Sequence, residues 1–293
     1  MKKGLLIING FIINKIDRFN ALYEDLEKSF KEEDIILDRM TNDEALIIID
    51  SKKELDYDFI LFWDKDINLA YHLENLGYLV FNNAKSIEIC DDKAKTALCL
   101  ENKGIKMPKT IISPFTFNNN PYSNYNLLFI DHIIEELNLP LVIKEANGSF
   151  GEQVYLARSK EEVIKLSLRL SPKTIIYQEF IKSSAGHDVR IEVVGDEVLG
   201  AVERTNLDGD FRSNVLQGGK MEKIDVDESF YEMALSVVKT IGLDFAGVDI
   251  MFGESGEPIL CEVNSNVHFK TFEKTTGVSL SKALAKYIKN KIF

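Results

Sequence analysis

Gly247-Val248-Asp249-Ile250-Met251-Phe252 and Pro258-Ile259-Leu260-Cys261-Glu262-Val263-Asn264 read as two apolar strands joined by a Gly253–Gly256 turn, each strand carrying one acidic residue. Adjacent antiparallel strands bring such positions within side-chain reach. A carboxylate in an apolar strand is costly to desolvate unless a positive group compensates it. Asp249, Glu262 and the Asn264 amide are hard oxygen donors, a set that suits Mg2+ carrying nucleotide phosphates. Edge positions facing water would account for the same pattern equally well.

Upstream, Lys144-Glu145-Ala146-Asn147-Gly148-Ser149-Phe150-Gly151 delivers a lysine from a strand into a glycine-rich loop. One ammonium and several backbone N–H groups are the means by which loops cradle phosphate, and glycine permits the close backbone approach. An ordinary hairpin loop is the alternative. A basic series, Lys93, Arg190, Arg204 and Arg212, has Asp188 and Glu203 beside its arginines. Arginine forks bind carboxylate and phosphate bidentately. Taken singly, each reads as a solvated charge or a salt-bridge member.

The 293 residues are 45% hydrophobic and 28% charged, which allows two or three domains. No apolar run approaches the roughly 18 residues of a membrane span, and the start lacks the h-region and cleavage site of a signal peptide. Cys90, Cys99 and Cys261 have no C-x-x-C spacing, so neither a disulfide framework nor a zinc site is expected, and the expected compartment is the cytoplasm. The net charge of −12 disfavours nucleic acid as a partner. It leaves room for a small anion held by a local cationic cluster, because salt screens the distant field within about 8–10 Å.

Strands are expected at Leu5–Phe11, Leu46–Ile49, Phe59–Phe62 and Gly77–Phe81, with helices at Asp17–Glu33 and Ile67–Leu76. This alternation predicts a parallel, doubly wound sheet, without the G-x-G-x-x-G of dinucleotide binding. One helix is expected over Ala84–Asn102, and Asn118-Asn119-Asn120-Pro121 reads as a loop. A helix follows at Asn126–Leu137, then a hairpin of Leu141–Glu145 with Gln153–Ala157. Ser159-x-x-Glu162 is a capping box opening a helix to Leu170. Strands at Ile175–Phe180, Val189–Val194 and Val198–Arg204 precede helices at Glu228–Ile241 and Ser279–Asn290, which flank the acidic hairpin.

Taken together, Asp92-Lys93, Val142-Ile143-Lys144, Gly148-Ser149-x-Gly151, Gln178-Glu179-Phe180-Ile181, Gly186-x-Asp188-x-Arg190, Gly247-Val248-Asp249-Ile250 and Glu262-Val263-Asn264 resemble the ATP-grasp superfamily. The Arg204…Phe211-Arg212-Ser213-Asn214…Gly218-Gly219 segment and Glu273–Val278 resemble its RimK/LysX-like branch of carboxylate–amine ligases. The matching motifs run from about Asn83 to Gly277. The resemblance implies an α/β and α+β chain, with an N-terminal parallel-sheet (pre-ATP-grasp) domain at 1–88. It places a central lobe with the glycine-loop lid at 89–177 and a C-terminal lobe with the metal and acceptor site at 178–293.

By the same resemblance, Lys93 and Lys144 would contact the phosphates of ATP under a Gly148–Gly151 lid that includes Ser149. The Gln178–Ile181 segment, through backbone groups of Glu179 and Ile181 beside Phe180, would read the adenine, and Asp188 would reach the ribose. Asp249, Glu262 and Asn264 would hold two Mg2+ ions, with Mn2+ as a substitute. Arg190, Arg204, Arg212 and Asn214 would face the γ-phosphate and the acceptor carboxylate. The implied partners are an amino acid such as glutamate and a carboxylate on a peptide, protein tail or metabolite, with no nucleic acid or membrane; a homo-oligomer is compatible with the family.

Two departures bear on the substrate. Phe150 stands where the glutamate-ligase pattern has glycine, and Ser265-Asn266-Val267-His268-Phe269-Lys270 replaces Ala-Ser-Pro-Gly, closer in style to the lysine-biosynthesis ligase. His268 and Lys270 are candidates for an acceptor carboxylate. Two alternatives stand beside the leading reading: a ligase acting on a coenzyme or amino-group carrier protein, and a non-catalytic ATP-binding regulator. Retention of Lys93, Lys144, Asp249, Glu262 and Asn264 speaks against the second.

Overall fold

The computed structural model describes residues 2–13, 17–50, 55–115, 127–148, 153–213 and 219–293. Thirteen strands in these segments form three sheets. The first sheet is parallel, in the order β2-β1-β3-β4, from β1 (Lys2–Ile8), β2 (Ile35–Thr41), β3 (Phe59–Trp63) and β4 (Val80–Phe81). Strand alternation sends Leu6 and Ile8 to a core under the helix Asp17–Glu32, and Leu5 and Ile7 to a core under the helix Ile67–Asn75. The sheet is therefore covered on both faces, as a parallel sheet requires.

The strand paired with the outer side of β1 is Ile35–Thr41, not Leu46–Ile49. Asp38 and Arg39 interrupt the apolar run of β2, which hid it, while its first three residues still alternate buried, exposed, buried. Leu46, Ile47, Ile48 and Ile49 follow the strand as irregular chain and are 41–76% exposed. β1 itself stops at Ile8, because the Asn9 carbonyl oxygen Oδ1 accepts the Phe11 N–H at 3.0 Å and opens a short helix, Gly10–Ile13.

The middle sheet is antiparallel, in the order β5-β8-β6-β7, from β5 (Thr110–Ile112), β6 (Leu141–Glu145), β7 (Val154–Ala157) and β8 (Ile175–Glu179). The loop expected at Asn118–Pro121 and the start of the next helix at Asn126 lie outside the described residues; that helix is described over Leu127–Leu137. The Ser159 hydroxyl caps the helix Lys160–Leu170 by accepting the Glu162 N–H at 3.3 Å. The Glu162 carboxylate reaches back to the Arg158 N–H, one residue beyond the usual capping-box partner.

The third sheet, β11-β10-β9-β12-β13, is built from β9 (His187–Val194), β10 (Glu197–Thr205), β11 (Lys220–Lys223), β12 (Phe245–Phe252) and β13 (Pro258–Asn264). Val189, Ile191 and Val193 of β9 face the core beneath the helix Glu228–Ile241, so Asp188, Arg190 and Glu192 must take the opposite face. That alternation makes the site. The first and third sheets are joined through Asn82, fully buried, whose amide donates to the carbonyls of Phe245 and Ser265 and accepts the N–H groups of Asp244 and Phe245. Trp63 stacks on Phe245 with ring centroids 4.8 Å apart.

The single helix expected over Ala84–Asn102 is two, Ala84–Asp91 and Lys93–Leu100. Asp92 between them is extended, and its carboxylate accepts the N–H groups of Ala94 and Lys95. A side chain that caps the second helix replaces the backbone bonds that would have continued the first. Lys93 is thereby the first residue of a new helix, at the mouth of a cavity.

Candidate active site

A cavity of about 430 Å³ lies where the three sheets meet. It is lined by Asn9, Trp63 and Asp64 from the first sheet, Lys144 and Gln178 from the middle sheet, and Arg190, Arg204, Asp249, Glu262 and Asn264 from the third. Lys93, Gly148, Glu179, Phe180, Ile181, Asp188 and Arg212 also face it. The described candidates from Lys93 to Asn264, 172 positions counted inclusively, therefore share one cavity, and His268 lines it as well, whereas Lys270 does not and is instead paired with Asp25. Ser149, Gly151 and Asn214 lie outside the described residues.

Register explains the acidic row. Arg190 on β9 is opposite Asp249 on β12, and Asp249 is opposite Glu262 on β13. Directly opposed residues on adjacent strands share a face. The pairing shifts between Asp249 and Ile250, which pairs with Leu260, so Cys261 is the extra residue of a bulge beside Glu262. Bulges of this kind re-aim side chains near functional sites. One row along, Glu192, Gly247 and Asn264 are aligned in the same way.

Two guanidinium groups hold the centre. Arg190 forks onto Asp249 at 2.6 and 2.7 Å, and Arg204 forks onto Asp188 at 2.7 and 2.5 Å while reaching Asp249 at 2.9 Å. The Ser213 hydroxyl donates to Asp188 at 2.5 Å. Burial would push the Asp249 carboxyl up, but Arg190 and Arg204 outweigh it and hold the group below its ordinary range. The same carboxylates hold both guanidiniums above theirs against the opposing effect of burial. Arg212 is more exposed and forks onto Asp210.

Glu262 is held less tightly. Its carboxylate is 3.8 Å from Lys93 Nζ and its side chain is 32% exposed. With its amide turned so that the oxygen accepts from Arg190 at 3.0 Å, Asn264 donates to Glu262 at 3.2 Å. Lys93 Nζ also donates to the Gly148 carbonyl at 2.8 Å, tying the glycine loop to the first turn of its helix. Lys144 is 8% exposed on β6. In the Gln178–Ile181 segment, Glu179 N–H donates to the Lys109 carbonyl at 3.0 Å and the Gln178 amide donates to the Thr110 hydroxyl at 2.8 Å.

Asp249, Glu262 and Asn264 fit a hard divalent ion: three oxygen donors of the right chemistry converge from adjacent strands. Among the described residues no three His, Cys, Asp or Glu side chains form a metal cluster by themselves. Such an ion would complete its shell with phosphate oxygens and water, as Mg2+ does in nucleotide sites. Cys261 and Cys90 are no competitors, since burial pushes their thiols up to about 11 and about 12.

Two buried acidic residues escaped the sequence reading, and of the two only Asp64 lines the cavity. Glu192 is fully buried beneath Arg190, and neither carboxylate oxygen has a hydrogen-bond partner among the described residues. Gly247 makes room for it, since a Cβ there would lie 3.0 Å from Glu192 Oε2. A charge on the site-facing parity of the Val189–Val194 strand was the available signal. Asp64 is the other, directly following the wholly buried β3.

Burial pushes the Glu192 carboxyl up to about 7, with Arg190 and Arg204 offsetting part of the effect. The folded value lies above the ordinary 4.5. The native state therefore keeps a proton that the unfolded chain releases, and this contribution to stability is complete below about pH 4.5 and lost as pH rises through about 7. Glu192→Gln should remove that slope. Its stability relative to the parent should rise by about 2–3 kcal/mol between pH 5 and pH 8, read from urea denaturation at the two values.

Residues 90–288 match the RimK-like ATP-grasp domain family. The chain is 35% identical over 222 residues to a Legionella pneumophila protein described as "Probable alpha-L-glutamate ligase", covering 75% of this chain and 70% of that one. It is 32% identical over 225 residues to human N-acetylaspartylglutamate synthase A, covering 76% of this chain and 56% of the human protein. The crystal structure of a RimK domain ATP-grasp protein from Sphaerobacter thermophilus superposes with a TM-score of 0.74 at 18% identity, covering 98% of this chain and 99% of that one.

Proposed function

The chain belongs to the RimK-like ATP-grasp family and is an ATP-grasp ligase, and from that premise we propose that it joins an amino acid such as glutamate to a carboxylate through an acyl phosphate, with Mg2+ bound beside ATP. The observation that carries this reading is the meeting, in one cavity, of the Arg190–Asp249–Glu262 row with the Lys93 and Lys144 side chains. A site with cations on several walls suits a polyanion. Carboxylates in the same place would bind the metal that accompanies it.

Each side chain then has a task. Lys93 and Lys144 bind phosphate oxygens, with Gly148 held beside them by Lys93. Asp249, Glu262 and Asn264 would hold Mg2+, which would supply positive charge beside the phosphates. Arg190 and Arg204 are oriented by Asp249 and Asp188, so their remaining N–H groups are preorganised for anionic oxygen. Arg212 is placed nearby for the acceptor carboxylate. A substrate carboxylate attacks the γ-phosphorus and ADP leaves; an amine then attacks the acyl carbon, phosphate leaves and the amine loses a proton. Both steps build charge on oxygen, where fixed cations act most strongly. No His, Asp or Glu is assigned as the base.

The acceptor is proposed as a carboxylate on a peptide, protein tail or metabolite, with glutamate favoured as the added residue by the descriptions of the bacterial and human relatives. No helix among the described residues is long and apolar enough to cross a membrane, and the three free cysteines suit a reducing, cytoplasmic setting. The test is ADP release by purified protein with ATP and Mg2+, across amino acids offered with glutamate-ended peptides and with cell extract. Mass spectrometry should find a product heavier by one residue. ATP binding without acceptor-dependent ADP release under every condition would replace the ligase with a nucleotide-binding regulator.

A further inference from the structure

The first sheet places its own polar groups in the cavity. In the order β2-β1-β3-β4 the chain reverses direction across the sheet between β1 and β3, and Asn9 and Asp64 directly follow the carboxyl ends of those two strands. The crevice outside such a switch point is where open parallel sheets bind ligands. Asn9 and Asp64 line the same 430 Å³ cavity as Lys93 and Glu262.

Asp64 is 4% exposed. One of its oxygens, Oδ1, accepts the Asn9 side-chain amide at 3.0 Å and the Lys65 N–H at 2.7 Å. The other, Oδ2, has no hydrogen-bond partner among the described residues. Asp91, on the same wall, is paired with the Lys65 ammonium. Burial raises the Asp64 carboxyl above its ordinary range; the Asn9 and Lys65 bonds oppose this, and Asp66 and Asp91 add to it. A buried carboxylate with one idle oxygen and acidic neighbours repels phosphate and carboxylate and attracts a cationic hydrogen-bond donor.

We propose that Asp64 is the counter-ion for the ammonium group of the amine substrate, its idle oxygen receiving an N–H while Asn9 holds the other oxygen in place. The cavity is thereby bipolar: the cations of the second and third sheets take the nucleotide and Asp64, at the end of β3, takes the amine. Asp64 is then a specificity-determining residue, selecting co-substrates that carry a free amino group. This assignment rests on the ligase reading for the identity of its ligand, but not for the existence of the site.

The experiment measures calorimetric binding of each of the twenty amino acids to the protein in ADP and Mg2+, then amino-acid-dependent ADP release from ATP with glutamate-ended peptides and cell extract as the carboxylate source, for the parent and for Asp64→Asn. At least one amino acid should bind the parent. Asp64→Asn should raise its Kd and KM at least about tenfold, the loss of one charged hydrogen bond, and leave the KM for ATP unchanged. The same amino acid without its amino group should not distinguish the two proteins. Asn keeps the shape and Oδ1 bonds of Asp64 and removes an unpaired buried charge, so the unliganded variant should melt no lower than the parent. Unchanged amino-acid affinity, a variant that melts well below the parent, or a parent that binds no amino acid would each overturn the assignment. Binding that Asp64→Asn removes, with no ADP release from the parent, would keep the ammonium site and reject the ligase; ADP release with equal amino-acid KM in both proteins would do the reverse.

Discussion

Glu262→Ala is expected to lower acceptor-dependent ADP release by about 10²–10³-fold while leaving the fold intact. Asp249 is already clamped by two guanidinium groups, whereas Glu262 among the described residues meets the Lys93 ammonium at 3.8 Å and the turned Asn264 amide at 3.2 Å. Glu262 is therefore the carboxylate of the row with the most oxygen capacity left for a metal. Loss of one group that stabilises developing charge commonly costs about 10²–10³-fold, and Glu262 would stabilise it through any metal it holds. Its side chain is 32% exposed, so truncation leaves no deep cavity, and the Lys93 ammonium keeps its bond to the Gly148 carbonyl. The melting transition should move little, within the change of about 0.5 kcal/mol typical of surface substitutions. ADP release and thermal melts on the same preparations check both halves. Near-normal turnover in a folded variant would remove Glu262 from the metal site.

The motifs that form the site were legible because their chemistry is local. A lysine on an apolar strand, two acidic residues in facing apolar strands and a glycine-bounded turn can each be read from a few adjacent residues. Register then does the rest: Asp249 and Glu262 stand opposite because the turn between their strands is short. What could not be read was which groups neutralise which. The forks of Arg190 on Asp249 and of Arg204 on Asp188 depend on strand order β10-β9-β12, set by long-range pairing.

The misses have similar causes. Leu46–Ile49 has the composition of a strand, but the edge of β1 is taken by Ile35–Thr41, whose charged residues disguise it. The break at Asp92 is a contest between a side-chain cap and a helical backbone bond, and helical periodicity is blind to it. Asp64 lacks motif neighbours, and Glu192 lies two residues beyond the Arg190 motif, where only strand parity hints at it; burial is what makes either charge unusual.

Arg204→Met should cost about 3–5 kcal/mol of stability, since removing one partner of a buried ion pair strands the other. Its side chain is 11% exposed and satisfies Asp188 at two positions and Asp249 at a third. Methionine fills similar space, so the loss is electrostatic and not a packing defect. Arg204→Lys should recover only part of it, because an ammonium cannot fork across a carboxylate while also reaching a second. The pH dependence separates this group from Glu192. The arginines hold Asp249 below its ordinary range, so its contribution is present at neutral pH and lost on acidification through the depressed value. Parent and Arg204→Met should accordingly converge in stability towards acid pH, whereas parent and Glu192→Gln diverge towards alkaline pH. Adding Asp188→Asn to Arg204→Met should restore part of the loss, because the stranded charge is then gone, and a double-mutant cycle in urea measures the coupling. A penalty below about 1 kcal/mol for Arg204→Met, the value of an exposed pair, would show that Asp188 and Asp249 find water or another cation, and that Arg204 is not what fixes the acidic row in place.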